Sequence, residues 1–474
     1  MLTVSARENT STLPCGYKVD GTPGQIEAIR QVIDLFSLNK DQLTKIIAQF
    51  VDEMGKGLDH DGATVAMIPS FVPGKPTGKE TGTYLALDLG GTNLRVCKVV
   101  LLGDGKYDIH QRKYVVSETL KRGKMHDLCD FIAECVGAFL SEQHTSTDSE
   151  RLKLGFTFSF PIFQTSMNRG VLKQWTKGFA CSGAVGKDAA LMLQEALHKK
   201  HINVDIVAIV NDTVGTLMAH AYQEPDTMMG VIMGTGANIS YCEKIANITK
   251  WKQQDHGSAE EMAINMECGA FDCERRVLPV TVYDQRIDRQ SLNVHEQQHE
   301  KMIAGMYLGE ITRQIMLDMI DRRLLFGGRS SSELNRQWSF DTAYMSTIEK
   351  DTSAKLLDTG HILESIMNIP STALADRQMV KIITTCVGRR AARLHACGLA
   401  GVMTQTRKLD TACTIAVDGS LFEFYPNFEK NIMDALVEIY GPKMKDNVKF
   451  ALSRDGSGLG AAVVAMMAHK HTQK

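Results

Sequence analysis

The stretch from Thr83 to Val96 constrains the fold more than any other, because it predicts two adjacent strands joined by a tight turn. An apolar strand ends near Asp88, and Gly90 and Gly91 are predicted to turn the backbone with positive φ at no Cβ cost. A turn with few side chains leaves backbone N–H groups facing outward, which is the geometry of a phosphate-binding loop. An ordinary hairpin is the alternative for this stretch taken alone.

Two later strand ends carry a similar glycine-rich turn. The strand at 230–233 leads into a turn at 234–236, and the strand at 414–417 leads into an Asp418-Gly419 turn that we expect a second strand to follow. A weak internal repeat of this kind predicts two related α/β halves that close around a cleft. Ligands of α/β sheets collect beyond the carboxyl ends of strands, where these turns lie.

Hydrophobic periodicity predicts the other elements. Apolar residues at helical spacing predict helices over 26–36, 43–54, 128–140, 188–198, 301–325 and 377–399. Prolines break the segment 67–79, which we expect to be an extended connector. The continuous apolar run at 206–210 predicts a buried parallel strand.

Charge and cysteine usage limit the class of protein. The chain has 474 residues and a formal net charge of −2, which gives no general attraction to nucleic acid or to an anionic membrane. Its 11 cysteines include no CxxC pair, so we expect free thiols in a reducing compartment. No apolar run is long enough to span a bilayer and no targeting segment is recognisable, so the expected location is the cytoplasm.

Two charged residues are candidates for chemistry. Asp212 follows the strand at 206–210 and lies next to Asn211, where a carboxylate can accept a proton from a hydroxyl during phosphoryl transfer. Helix N-capping is the competing explanation for this Asn-Asp pair. Lys177 lies in a loop between Trp175 and Phe179, which favours a ligand-facing position over an ordinary surface lysine.

Polyol recognition requires several acids and amides, because each hydroxyl both donates and accepts a hydrogen bond. The chain offers such a set in Asn211, Asp212, Asn238, Glu267 and Glu300. It lacks GxxxxGK[ST], which excludes a P-loop protein, and no GxGxxG follows a first strand, which argues against a dinucleotide enzyme.

Eight ordered segments resemble the eukaryotic hexokinases and glucokinases, single-unit fungal members above all, in the actin-like ATPase superfamily. The resemblance covers about 24–469, nearly the whole chain. The matching segments are LALDLGGTNLRV at 85–96, LGFTFSFP at 154–161, WTKGF at 175–179, VNDTVGTL at 210–217, GTGAN at 234–238, EKMIAGMYLGE at 300–310, VDGS at 417–420 and DGSGLGAA at 455–462.

The resemblance implies an α/β, two-lobed actin-like ATPase (ribonuclease H-like) fold with a sugar and ATP cleft between the lobes. It implies an N-terminal half at 22–224 and a C-terminal half at 225–470. The implied activity is ATP-dependent phosphorylation of a hexose at the 6-hydroxyl, the first step of glycolysis, with glucose as the leading substrate and fructose and mannose as further candidates. The alternatives are a catalytically weak sugar sensor and a kinase for a modified hexose such as N-acetylglucosamine.

Residue roles follow from the resemblance, position by position. The implied sugar contacts are Ser159, Thr176, Lys177, Asn211, Asp212, Asn238, Glu267 and Glu300, with Asp212 as general base and Lys177 as the second catalytic residue. The implied ATP contacts are Asp88, Gly90, Gly91, Thr92, Asn93, Arg95, Lys113 and Thr235, with Gly419 and Ser420 near adenosine. Mg²⁺ is expected with the nucleotide and no separate metal site is predicted. One departure is Cys268, where the family usually has an aromatic residue, and we expect it to loosen the loop carrying Glu267.

The expected partners are small molecules only, a hexose and MgATP. Neither nucleic acid nor a membrane is expected as a partner, and the sequence is compatible with a weak homodimer.

Overall fold

The computed structural model describes residues 13–91, 93–143, 151–175, 178–252, 259–454 and 456–472, apart from the side chains of Cys15 and Thr472. Within these ranges the strands are β1 (Ile68–Pro73), β2 (Thr81–Leu89), β3 (Asn93–Gly103), β4 (Lys106–Val115), β5 (Leu152–Phe158), β6 (Ile162–Ser166), β7 (Arg169–Leu172), β8 (Val204–Val210), β9 (Thr227–Met233), β10 (Ala237–Lys244), β11 (Glu261–Asn265), β12 (Cys413–Asp418) and β13 (Val448–Leu452).

The α-helices within these ranges are α1 (Pro23–Phe36), α2 (Lys40–Asp59), α3 (Glu118–Arg122), α4 (Met125–Glu142), α5 (Ala189–Lys199), α6 (Asp212–Gln223), α7 (Val282–Gln290), α8 (Gln298–Ile303), α9 (Gly305–Asp321), α10 (Ser332–Asn335), α11 (Thr342–Lys350), α12 (Leu357–His361), α13 (Leu374–Gln405), α14 (Ser420–Phe424), α15 (Phe428–Tyr440), α16 (Met444–Asn447) and α17 (Gly456–Thr472). Single 3₁₀ turns lie at Pro14–Gly16, Ile245–Asn247, Cys268–Ala270 and Phe326–Gly328, and a π turn lies at Ile362–Ile366.

Two sheets with the same strand order form the framework of the molecule. The first sheet runs β4-β3-β2-β5-β8, and the second runs β1-β11-β10-β9-β12-β13. In each sheet, three strands that are consecutive in the chain pair antiparallel, and two further strands then pair in parallel. The antiparallel strands are β2, β3 and β4 in the first sheet and β9, β10 and β11 in the second, and the parallel additions are β5 and β8, and β12 and β13. β1 is added antiparallel at the outer edge of the second sheet. The prediction of two related α/β halves is therefore confirmed.

The repeat relates different segments from those that the sequence suggested. By strand order, the hairpin β2–β3 corresponds to β9–β10, whereas β12 corresponds to β5. The predicted strand after the Asp418-Gly419 turn is wrong, because Ser420 begins α14. The physical reason is that β12 pairs in parallel with both of its neighbours, and a parallel neighbour is reached through a crossover, not a hairpin.

Helices α6 and α17 follow the last strand of each half and pack against each other between the sheets. Their contact is so close that a Cβ on Gly460 would lie 2.0 Å from the carbonyl oxygen of Gly215. A Cβ on Gly155 of β5 would likewise lie 2.0 Å from the carbonyl oxygen of Ala461. Only glycine permits these approaches. They hold the start of α17 against the cleft end of the first sheet.

Three groups of buried apolar side chains divide the interior. One lies between the first sheet and α4 and α5, one joins the second sheet to α1, α2, α9 and α13, and one lies between the sheets around α6 and α17. Thus α1 and α2, early in the chain, pack with the second sheet, whereas α17 at its end packs on the first. The division of the chain at 224–225 stays a prediction, since the lobes exchange segments across it.

Most predicted helices are confirmed, but the helix predicted over 301–325 is interrupted at Ala304 and ends at Asp321. The chain is helical in α8 up to Ile303, extended at Ala304 with ψ of 145°, and helical again from Gly305. The N–H of Gly305 donates to the carbonyl oxygen of Gly234, 2.8 Å away. The interruption therefore attaches the start of α9 to the β9–β10 turn.

Candidate active site

Asp88 lies at the cleft end of β2 in a network that joins the beginning and the end of the chain. Arg95 donates to Asp88 Oδ2 through Nε at 3.0 Å and Nη2 at 2.6 Å. The hydroxyl of Ser457, at the start of α17, donates to the same oxygen at 2.8 Å and accepts from Arg95 Nη2 at 3.0 Å. Asp88 is buried, so these contacts fix its carboxylate and offset its charge.

The turn after Asp88 differs from the prediction at Gly90. Gly90 does not take the positive φ predicted for it, and its N–H donates to the carbonyl oxygen of Asn93 at 3.0 Å, inside the hairpin. Asn93 is exposed at the start of β3, and Lys113 lies opposite Arg95 in the β3–β4 ladder. Residues opposite each other in an antiparallel pair share a face. The strands β3 and β4 thus present the exposed amide of Asn93 and two cations, Arg95 and Lys113.

A second glycine turn meets the end of β12. Gly419 has a φ of 129°, and a Cβ there would lie 2.4 Å from the carbonyl carbon and oxygen of Met233. A Cβ on Gly234 would lie 3.3 Å from the Cα of Gly419. Thr235 and Ser420 are exposed beside this contact. The structure therefore brings together three of the residues expected to bind the nucleotide: Thr235, Gly419 and Ser420.

Asp212 occupies the first turn of α6, directly beyond the end of β8. Asn211 is the N-cap, and its Oδ1 accepts the N–H of Thr213 at 2.9 Å. Asp212 Oδ1 also accepts this N–H at 2.9 Å. Capping by Asn211 is thus real, and it coexists with a carboxylate at the cleft end of a parallel strand. Helix capping explains the presence of Asn211 more fully than that of Asp212.

Asp418, at the end of β12, was placed in a glycine turn by the sequence analysis but was not among the predicted site residues. Its pKa is raised to about 6, mainly by burial and also by the carboxylates of Asp212 and Asp88, while Arg95 lowers it. Two acids from two other strand ends, Asp88 and Asp212, therefore lie within electrostatic range of Asp418. The signal was present in the sequence, since Asp418 ends an apolar strand and directly precedes a glycine. Asp88 likewise ends an apolar strand and lies two residues before a glycine.

A second polar group lies on the second sheet next to this acidic group. Asn238 and Asp418 both pair with Ile232 of β9, one from each side, so they share a face of the sheet. Asn238 Nδ2 donates to Asn265 Oδ1 at 2.8 Å, and Asn265 Nδ2 donates to Glu267 Oε1 at 2.7 Å. Asn265 was not among the predicted site residues, yet it holds two of them in a fixed orientation.

Glu267 and Glu300 approach this group from outside the sheet. Glu267 follows β11 with a φ of 55°, a backbone conformation that is uncommon for residues other than glycine and recurs at functional sites. Glu300 lies on α8, and its Oε1 accepts the N–H of Ala237 at 3.2 Å. Amide and carboxylate groups from β10, β11 and α8 thus converge beside the three aspartates.

Comparison with known proteins decides the family. Two models of the family described as Hexokinase match the chain, at residues 28–222 and 228–467. This chain belongs to the hexokinase family. A hexokinase of Kluyveromyces lactis is 41% identical over 96% of the chain and 95% of that protein. A glucokinase of Aspergillus niger is 40% identical over 90% of the chain and 93% of that protein.

A solved structure of this family has the same fold. The hexokinase of Schistosoma mansoni complexed with glucose aligns with a TM-score of 0.84 at 35% identity, over 94% of this chain and 99% of that one. The predicted actin-like ATPase fold with two lobes is therefore confirmed, as is the predicted membership of the hexokinase and glucokinase family with fungal relatives.

Within this hexokinase-family chain, three predicted site residues, Thr92, Thr176 and Lys177, lie outside the described residues. The flanks of the last two are described. The indole of Trp175 stacks on Phe179 with ring centroids 5.5 Å apart, and its Nε1 donates to the carbonyl oxygen of Cys181 at 2.8 Å. Ser159 is buried just beyond β5. The roles assigned to these residues stay predictions.

Cys268 departs from the family pattern in the loop that carries Glu267. Its side chain is buried, and burial raises the pKa of its thiol. Its carbonyl oxygen lies 3.2 Å from Nδ1 of His299, and burial lowers the pKa of this imidazole to about 4. Three residues further on, Phe271 stacks on Phe50 of α2 with centroids 3.6 Å apart. The loop therefore has several buried contacts besides Cys268.

Among the residues that the structure describes, no group of three or more His, Cys, Asp and Glu side chains is placed to hold a metal ion. In the same part of the chain, no helix is long and apolar enough to cross a membrane.

Replacing Asp418 by asparagine is expected to stabilise the nucleotide-free protein more at pH 8 than at pH 5. The carboxyl titrates near 6 when folded and near 4 when unfolded, so ionisation disfavours the folded state increasingly as pH rises through this window. The difference between the two pH values is expected to be on the order of 1 kcal/mol. Thermal unfolding of both proteins at both pH values measures it. Equal effects at pH 5 and pH 8 would mean that Asp418 is ordinarily solvated.

Proposed function

We propose that this chain transfers the γ-phosphoryl group of ATP to the 6-hydroxyl of a hexose. The observation that carries the proposal is the position of Asp212, within electrostatic range of Asp418, which lies at a glycine turn and shares a face of the second sheet with Asn238. The acidic group lies with strand-end turns and cations, which are suited to binding phosphate. The polar group on the second sheet offers the acids and amides that a polyol requires. Glucose is the leading substrate, with fructose and mannose as further candidates.

Each residue has a definite task in this proposal. Asn238, Glu267 and Glu300 orient the sugar hydroxyls, and Asn265 holds the first two through its own amide. Asp212 accepts the proton of the 6-hydroxyl as the oxygen attacks phosphorus. Arg95 and Lys113 place positive charge near the transferring group, and Lys177 adds a further cation in this proposal.

The residues present fit a nucleotide that arrives with Mg²⁺. Burial is the main cause of the raised pKa of the Asp418 carboxyl, which Arg95 lowers and the negative charges of Asp212 and Asp88 raise. Mg²⁺ prefers oxygen ligands and keeps several waters, so Asp88 and Asp418 are the residues that would hold it. Bound Mg²⁺ neutralises negative charge on the phosphates. Thr235, Gly419 and Ser420 would then contact the nucleotide beside it.

The proposed location is the cytoplasm, with a hexose and MgATP as the partners. Ten cysteine side chains are described, and none of these ten is in a disulfide. Thiols in this number are typical of a reducing compartment.

A hexose panel tests the proposal. Purified protein is assayed for ADP release with glucose, fructose, mannose and N-acetylglucosamine, with and without Mg²⁺. Mg²⁺-dependent turnover on one of the first three is expected. Glucose binding without turnover on any hexose would favour the sensor, and turnover confined to N-acetylglucosamine would favour the modified-hexose kinase.

A further inference from the structure

A buried cluster of charges lies behind α8, outside the group proposed to contact sugar. Its centre is Asp288, near the end of α7, which is 1% exposed. Oδ1 of Asp288 accepts from Lys301 Nζ at 2.7 Å and from Gln298 Nε2 at 2.8 Å. Both of these donors belong to α8. Oδ2 accepts from Arg275 Nη2 at 2.7 Å.

The segment before α8 is attached to the same cluster. The N–H of His295 donates to Asp288 Oδ1 at 3.0 Å, and the side chain of His295 lies 3.3 Å from Oδ2. Lys301 Nζ also donates to the carbonyl oxygen of Asn293 at 2.7 Å. A single carboxylate therefore binds α8 itself and the loop that leads into it.

Local interactions contribute little to the stability of helix α8. It has only six residues, and its N-cap residue Gln297 is left-handed, with a φ of 52° and no side-chain cap. Helices of this length are unstable in isolation, because one or two turns do not offset the entropy of nucleation. Its placement must therefore come from tertiary contacts, of which the Asp288 cluster is the most highly charged.

The geometry of α8 connects this cluster to the sugar side. Gln298 and Lys301 are three residues apart and share a face of the helix, which points to Asp288. Glu300 is turned away from that face and accepts the N–H of Ala237 on β10. A shift of α8 relative to α7 would therefore move the Glu300 carboxylate relative to β10.

We propose that Asp288 is a positioning residue that holds α8 so that Glu300 meets the hexose, and that it thereby sets hexose affinity. The inference rests on the proposed function for the role of Glu300. It adds that affinity for the sugar depends on a carboxylate that does not touch it. Loss of a buried charged hydrogen-bond partner changes an equilibrium by about tenfold or more.

The test compares D288N with D284N, a matched control on the same helix. Asp284 is also buried, and it pairs with Arg390 of α13 at 2.7 Å instead of with α8. D288N is expected to raise the KM for glucose and the glucose Kd from calorimetry about tenfold. The KM for ATP should stay within about twofold, because α8 is placed here on the sugar side. D284N is expected to lower the thermal midpoint and to leave the glucose KM and Kd unchanged.

A second variant keeps the test decisive if D288N does not fold. Q298M removes one donor to Asp288 without removing a buried charge, and is expected to raise the glucose Kd about threefold, a part of the D288N effect. An unchanged glucose Kd in folded D288N, or in Q298M when D288N is unfolded, would overturn the inference. An equal rise in D284N would also overturn it, since the effect would then be general loss of stability.

The failure of the proposed function has a different signature. If the wild type binds glucose without turnover, the function fails, whereas the ratios of glucose Kd among the variants still decide the role of Asp288. If the wild type binds no hexose, both the proposed function and this inference are overturned.

Discussion

Replacing Asp212 by alanine is expected to lower the turnover of hexose phosphorylation by about 10²- to 10⁴-fold, with hexose binding partly kept. A hydroxyl is a weak nucleophile at neutral pH, and a positioned base removes its proton as the bond to phosphorus forms. Asp212 lies beyond β8, within electrostatic range of Asp418, and next to Asn211, which caps α6. Asp418 also lies beside the phosphate-binding turns and the polar group of the second sheet, but in the proposed function it would hold Mg²⁺ and is not the base.

The fold should survive this change, so the loss can be assigned to chemistry. Removing Asp212 takes away one of the charges that raise the pKa of Asp418, which relieves repulsion in the cleft. Asn211 still caps α6 through the N–H of Thr213. Circular dichroism of the variant should therefore resemble that of the wild type, and calorimetry should still detect glucose binding, while ADP release falls.

Asp205 provides a matched control for Asp212. It lies near the start of β8, at the other end of the same strand, and pairs with Arg151 and Lys153 at 3.0 and 2.9 Å. Asp205→Ala is expected to change turnover less than about twofold, since ion pairs of this partly exposed kind contribute little. Near-normal turnover in Asp212→Ala would move the base to another carboxylate, and Asp418 would be the first to examine.

The parts of the fold that could be predicted are those encoded locally. Helices such as α1, α4 and α13 follow from apolar periodicity, and β8 follows from its continuous apolar run. The equivalence of the two halves could be predicted only in outline, because an Asp-Gly sequence after a strand is compatible with either a hairpin or a crossover. Strand order decides between these, and it depends on pairing between distant segments. The same holds for β1, which was predicted only as an extended connector and joins a sheet formed mostly by residues after 226.

The candidate site could be predicted where a residue type at the end of a strand has few structural explanations. Asp212 and the glycine turns are of this kind, and the resemblance to hexokinases supplied Glu267 and Glu300, which look ordinary by themselves. Asn265 and Ser457 could not be predicted, because each acts through a hydrogen bond to another site residue, Glu267 or Asp88. Asp288 was missed for a similar reason. Its task depends on packing between α7 and α8, and no spacing in the sequence encodes that contact.

Replacing Lys177 by methionine is the second change with a large expected effect. A lysine beside the reacting hydroxyl stabilises negative charge on the transferring phosphoryl oxygens, and this charge develops mainly in the transition state. We therefore expect turnover to fall by about 10²- to 10³-fold, as for loss of one preorganised electrostatic contact. Glucose affinity should change much less. Methionine keeps most of the length of the side chain, so the stacking of Trp175 on Phe179 should survive.

The effect of Lys177→Met separates an enzyme from a sensor. A sensor that only binds sugar gains nothing from transition-state charge stabilisation, so its lysine would act, if at all, on glucose affinity. Turnover by ADP release and glucose Kd by calorimetry are measured on the same preparations. Lys173→Met is the matched control, because Lys173 is exposed four residues earlier in the same segment, and it should leave both values unchanged. A fall in glucose affinity as large as the fall in turnover would show that Lys177 contributes uniform binding, and the assignment of a catalytic role would then be wrong.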